Sequence, residues 1–152
     1  MIDASQLRND IVRPALEDTG MWSLDAENLV MGTAAQESRL KYIRQLGDGP
    51  ALSLFQMEPA TYKDIWDNYL SYREDLSETI LNAIDASGIP PATRLMWDLR
   101  FSAIMCRVHY RRVQEPLPTD LPGMAQYWKD HYNTVLGAGT VEEFIENYHL
   151  VE

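Results

Sequence analysis

Glu37 is the side chain in this sequence best suited to acid–base chemistry. It stands in Gly32-Thr33-Ala34-Ala35-Gln36-Glu37-Ser38, and Leu54-Phe55-Gln56-Met57 follows about twenty residues later. Counted in helical steps, Ala26, Val30, Thr33 and Leu40 share one face, and Glu37 interrupts that stripe. A carboxylate on the core side of a helix is costly unless it is paired, hydrogen-bonded or protonated. The expected helix C-terminus is also close, and there the macrodipole opposes negative charge. Both effects raise a carboxyl pKa, which suits a general acid. The competing expectation is an ordinary last turn whose glutamate faces solvent.

Other polar residues bear on the same chemistry. Gln56 lies between apolar neighbours, so its amide either meets a ligand or satisfies a buried backbone group. Asp48 and Glu58 follow Glu37 by 11 and 21 residues and are candidate second carboxylates. Locally, Asp48 reads as a turn former and Glu58 as an acid at a helix N-terminus. His109, His131 and His149 lack a metal-ligand spacing. His109 is expected at the surface, the alternative being that the pair His109-Tyr110 touches the cleft if the central helix lines it. Cys106, the only cysteine, falls in an apolar run and reads as a small core residue. No Gly-rich phosphate loop, serine nucleophile elbow or basic-aromatic stripe is present.

Taken together, Glu37-Ser38 and Leu52-Ser53-Leu54-Phe55-Gln56-Met57-Glu58-Pro59-Ala60-Thr61 resemble the first two motifs of lytic transglycosylases of the lysozyme superfamily. Tyr132-Asn133, opening Tyr132-Asn133-Thr134-Val135-Leu136-Gly137, is similar to that family's third motif. In wording the segment looks closest to the peptidoglycan-degrading domains carried by bacteriophage particles. The resemblance spans roughly residues 23 to 70 well and 120 to 150 loosely. It implies one glutamic acid in two roles. Glu37 would protonate the glycosidic oxygen between N-acetylmuramic acid and N-acetylglucosamine. As a carboxylate it would then take the proton of the muramoyl 6-hydroxyl as a 1,6-anhydro ring closes. No metal or cofactor is implied. Ser38 would orient Glu37, while Gln56, Met57, Tyr132 and Asn133 would shape the cleft.

The chain departs from the family pattern in places. Ser53 stands where the family usually has Gly, Phe55 replaces the usual Met, and Gly137-Ala138-Gly139 follows Asn133 at a longer spacing. Two rival functions remain. A hydrolytic, muramidase-type lysozyme would use Asp48 or Glu58 to position water, since ordinary glycosidases use two carboxylates. A structural or adaptor protein of a phage particle would keep the fold without catalysis, because fold does not fix function.

The elements that must position these residues read as helices. Ser5 is expected to cap a first helix carrying Leu7, Ile11, Ala15 and Leu16, with Pro14 kinking or breaking it and Gly20 ending it. Ser23 caps the helix that leads to Glu37. Gly47-Asp48-Gly49-Pro50 is a loop by turn chemistry. The resemblance implies a small hairpin between residues 41 and 53, where lysozyme-like folds often carry one. Pro59 suits the first turn of a helix through Ile65, Trp66, Tyr69 and Leu70, and Leu76, Ile80, Leu81 and Ile84 mark another. Residues 91 to 113 read as one long central buried helix, followed by a helix from about Met124 to Leu136. Thr140 then caps a last helix in a capping-box pattern with Glu143. Trp66, Trp97 and Trp128 all sit in helix patterns and read as core residues.

With 152 residues the chain reads as a single all-α domain. The resemblance implies a lysozyme-like helical core with a central buried helix, α+β at most through that hairpin. A net charge of −10 argues against nucleic acid, which demands a basic footprint. No apolar run nears the ~20 residues that cross a bilayer. Met1-Ile2-Asp3-Ala4-Ser5 lacks a charged leader and apolar signal core. The resemblance, together with the missing leader, implies peptidoglycan and phage tail or virion proteins as partners, with the protein carried in the virion and acting in the host periplasm or cell wall.

Overall fold

The computed structural model describes residues 1–133 and 137–152. Its first helical run is continuous through α1 (Ala4–Gln6), a π-helical stretch Leu7–Val12, and α2 (Arg13–Asp18). Asp3, not Ser5, caps it: Asp3 Oδ1 accepts from the Gln6 amide at 3.0 Å, because the helix starts one residue earlier than the expected cap. Pro14 neither breaks nor ends the run. It sits in the first turn of α2, and the π-helical register before it lets the Arg13 amide bond the Arg8 carbonyl five residues back. That five-residue step buries both Leu7 and Val12. Gly20, at φ +71, ends the run as expected.

Helix α3 (Leu24–Ser38) is capped by Ser23, whose hydroxyl accepts from the Ala26 amide at 3.1 Å. Ala26, Val30, Thr33 and Leu40 are all buried, but so are Leu29, Met31 and Ala34 on other sides of the helix. The helix is enclosed by neighbours rather than laid on a core by one stripe. Gly32 permits this, because a Cβ there would come 2.7 Å from Phe144 Cζ. Phe144 belongs to α9 (Val141–Asn147), which Thr140 caps by accepting from the Glu143 amide at 3.1 Å.

Helices α4 (Pro59–Asn68) and α5 (Glu74–Ala83) follow, with Pro59 in the first turn of α4. The long helix expected over 91–113 is two helices, α6 (Arg94–Trp97) and α7 (Leu99–Arg111). Asp98 breaks them apart. Its backbone is extended, and its carboxylate accepts from the Phe101 amide at 3.0 Å and from Arg94 Nε at 2.9 Å. Trp97 consequently lies outside the core at 67% exposure, whereas Trp66 and Trp128 are buried as expected. Helix α7 is the second enclosed helix, packing on α3 and burying Phe101, Ile104 and Tyr110, with Cys106 a fully buried free thiol.

Asp120 caps α8 (Leu121–Trp128), three residues ahead of the expected start, and a second π-helical stretch, Lys129–Asn133, continues it. The rest of that expected helix, Thr134 to Leu136, lies outside the described residues. Among the described residues no strand forms. The segment expected as a hairpin is a loop held by isolated antiparallel bridges, Arg44 to Leu52 and Leu52 to Met57. The all-α expectation therefore holds. No described helix is long and apolar enough to cross a membrane.

Candidate active site

Helix α3 ends at the site. After Ser38 the chain passes through Arg39 and Leu40, both left-handed at φ 52 and 60. Ser53 and Gln56, in the tight turn between the bridged residues Leu52 and Met57, are left-handed too, at φ 74 and 50. Four of the five described non-glycine residues with positive φ thus flank one region. Such strain persists only where the surrounding structure enforces it, and it concentrates at functional sites. The Ser53 position, expected to favour glycine, indeed adopts glycine's conformation. Its serine compensates locally: Oγ accepts from the Phe55 amide at 3.0 Å.

Between the end of α3, this turn, α7 and the second π-helical stretch lies a cleft of about 600 Å³. Glu37, Gln56, Met57, Tyr132 and Asn133 all line it. Glu58 does as well, but Asp48 does not; it sits in the exposed loop beyond Gln45. The candidate residues from three separate segments therefore meet, apart from Asp48 and Ser38.

Glu37 is partly buried, and Trp128 Nε1 donates to its Oε2 at 2.8 Å. Among the described residues no Lys, Arg or His pairs with it. Burial pushes its pKa up to about 7, and the Trp128 hydrogen bond offsets only part of that rise. Trp128 itself is fully buried and read from sequence as core alone. Its indole nitrogen carries a role that helical periodicity hides. Ser38 does not orient Glu37. Its hydroxyl donates to the Ala34 carbonyl at 3.1 Å, the usual outlet for a buried helical serine. Adjacent helix positions project about 100° apart, so the two side chains part company.

Gln56 spends its amide on its own turn, Nε2 donating to the Ser53 carbonyl at 2.9 Å. Tyr132 ties the cleft wall to that same turn, its hydroxyl donating to the Phe55 carbonyl at 2.6 Å. Its ring stacks on Tyr110 at 5.2 Å between centroids. The Thr33 hydroxyl donates to the Leu29 carbonyl at 2.7 Å and so accepts from the Tyr110 hydroxyl at 2.7 Å. A chain of contacts thus runs from α3 through α7 to the turn that carries Gln56 and Met57. Asn133 is held by Lys129, whose ammonium donates to Asn133 Oδ1 at 2.7 Å and to the Gly139 carbonyl at 2.7 Å.

His109, expected at the surface, also lines the cleft. Burial and the neighbouring Arg112 guanidinium push its pKa down to about 3, so it stays neutral. A second buried carboxylate went unread in the sequence. Glu27 is fully enclosed, but Arg8 at 2.6 Å, Arg13 at 2.5 Å and the Trp22 indole at 2.9 Å surround it. Burial alone would raise its pKa; the hydrogen bonds from Arg13, Trp22 and Arg8 outweigh that and hold it at about 2. Glu27 is a charged structural anchor. Glu37, with one neutral donor and no cation among the described residues, is of these two the carboxyl able to exchange a proton near neutral pH.

No group of three or more potential metal ligands occurs among the described residues. A scan of protein-family models gives no match to this chain, and neither do searches of curated proteins and of solved structures.

Proposed function

We propose that this protein cleaves the glycan strand of peptidoglycan between N-acetylmuramic acid and N-acetylglucosamine, with Glu37 as general acid and then general base. The observation that carries the reading is Glu37 itself: a carboxyl on an open cleft, unpaired by any described cation, with its pKa raised to about 7. Such a group is substantially protonated at neutral pH and can give its proton to a glycosidic oxygen as the C1–O bond breaks. The carboxylate so formed then accepts the proton of the muramoyl 6-hydroxyl while that oxygen bonds C1. A cleft of about 600 Å³ suits a short run of sugar residues. The sequence resemblance to phage-borne lytic transglycosylases supports the same assignment and a role in opening the wall during infection, beside virion partners.

A hydrolytic reading has one specific support, the presence of Glu58 in the cleft wall, where it would position water. Mass spectrometry of digested peptidoglycan separates the readings. Anhydro-muropeptides mark the transglycosylase, and reducing-end products lost in Glu58→Gln mark the hydrolase. No product from the folded parent would sink both and leave a catalytically silent structural or adaptor domain.

A further inference from the structure

His109 lies in the last turn of α7 and lines the same cleft as Glu37. Its Nδ1 sits 2.9 Å from Arg112 Nη2. A guanidinium only donates, so Nδ1 is the acceptor, and the neutral ring must carry its proton on Nε2. Arg112 is itself fixed: its Nη1 donates to Asp64 Oδ2 on α4 at 2.7 Å. The ring plane is set from the other side by Tyr132, whose centroid lies 4.6 Å away in an edge arrangement at 81°. Among the described residues Nε2 makes no hydrogen bond. With Nδ1 taken by Arg112, Nε2 is the ring nitrogen of this cleft-lining residue left to meet a ligand.

We propose that His109 is a glycan-contacting residue, presenting a fixed Nε2–H donor to an acceptor oxygen of the bound sugar, with Asp64 and Arg112 as the pair that fixes its tautomer. This rests on the functional reading above and deepens it. His109 is not a second acid or base. Nδ1 is committed to Arg112, and burial beside that cation keeps the imidazolium from forming. Its contribution is binding and orientation, the part a preorganised neutral donor plays best, since it neither competes with Glu37 for a proton nor repels the developing positive charge at C1.

The test compares His109→Phe, which keeps an aromatic ring without the donor, with His109→Gln, which returns an amide N–H near the Nε2 position. Peptidoglycan turnover gives KM and kcat. Chitohexaose binding is read by calorimetry in a Glu37→Gln background, and ring 15N shifts report the tautomer. Loss of one sugar hydrogen bond predicts about tenfold weaker chitohexaose binding and a similar rise in KM for His109→Phe. Kcat should change much less, and His109→Gln should recover most of the loss. The parent should show the Nε2–H tautomer, and Arg112→Met should mix the two. Unchanged affinity and KM in folded His109→Phe would overturn the inference while the active parent kept the functional reading, as would an Nδ1–H tautomer in the parent. A parent that neither binds nor turns over would remove the functional reading, and this inference with it.

Discussion

Trp128 Nε1 donates to Glu37 Oε2 over 2.8 Å, joining residues 91 positions apart in the chain. The indole is the only described hydrogen-bond donor to that carboxyl, and it is neutral. It stabilises the carboxylate enough to orient it but too little to hold it ionised. Trp128→Phe keeps most of the ring volume and removes the donor. Glu37 should then titrate about one unit higher, as expected for losing a hydrogen bond to a charged group. A 13C titration of the Glu37 carboxyl measures this directly, and an unchanged or lower value would contradict the arrangement.

The raised pKa also links stability to pH. Glu37 titrates at about 7 in the folded protein against an ordinary value of 4.5. Between those values the native state holds a proton that the unfolded chain has released. The contribution to stability is thus full below pH 4.5 and lost as pH rises through 7. The loss amounts to roughly 2–3 kcal/mol, allowing for partial solvent screening. Glu37→Gln fixes an uncharged side chain, so at pH 8 urea denaturation should find it more stable than the parent by about that much. At pH 4 the two should nearly coincide.

Glu27 behaves in the opposite sense. Its folded pKa, about 2, lies below the ordinary value, so its stabilisation is present above pH 4.5 and fades as pH falls toward 2. Glu27→Gln leaves the partly buried Arg8 and Arg13 facing a neutral amide and should cost about 1–2 kcal/mol, since solvent reaches Arg13 and screens the network. Chemical denaturation at pH 7 checks the value, and the variant should lose less stability than the parent on acidification.

Ser53 holds φ 74 with a compensating hydrogen bond from the Phe55 amide. Ser53→Gly relieves about 1 kcal/mol of backbone strain and forfeits a hydrogen bond of similar worth, so it should be nearly neutral. Ser53→Ala keeps the strain and loses the bond, and should destabilise by about 1 kcal/mol. Thermal melts of the two variants, read side by side, decide this.

Much of the helical layout was legible because it depends on local chemistry. Ser23, Pro59 and Thr140 start helices where capping rules put them, and Gly20 stops one. Asp98 was misread because its neighbours continue an apolar helical pattern. What breaks the helix is one carboxylate satisfied by the Phe101 amide and Arg94. At the site, Glu37 stood out as a charge on an apolar stripe, and that exception to patterning was the visible signal. Trp128 gave none, since a buried tryptophan looks alike whether or not its N–H meets a catalytic-type carboxyl. For His109 the less favoured of two readings holds, contact with the cleft rather than the surface, and how its ring is fixed was not legible. Only the spacing to Arg112, one helical turn on, hinted that its ring could be held, and Asp64 comes from a distant helix. Glu27 was missed because its partners Arg8 and Arg13 lie in the preceding helical run, whose π-helical register periodicity does not anticipate.

The most direct measurement sets the site-specific titration of Glu37 beside the pH profile of peptidoglycan cleavage. The account predicts a carboxyl pKa of about 7, activity that falls on the alkaline side with the same midpoint, and no product from folded Glu37→Gln. A Glu37 that titrates like a free carboxyl, or cleavage that persists in Glu37→Gln, would contradict it.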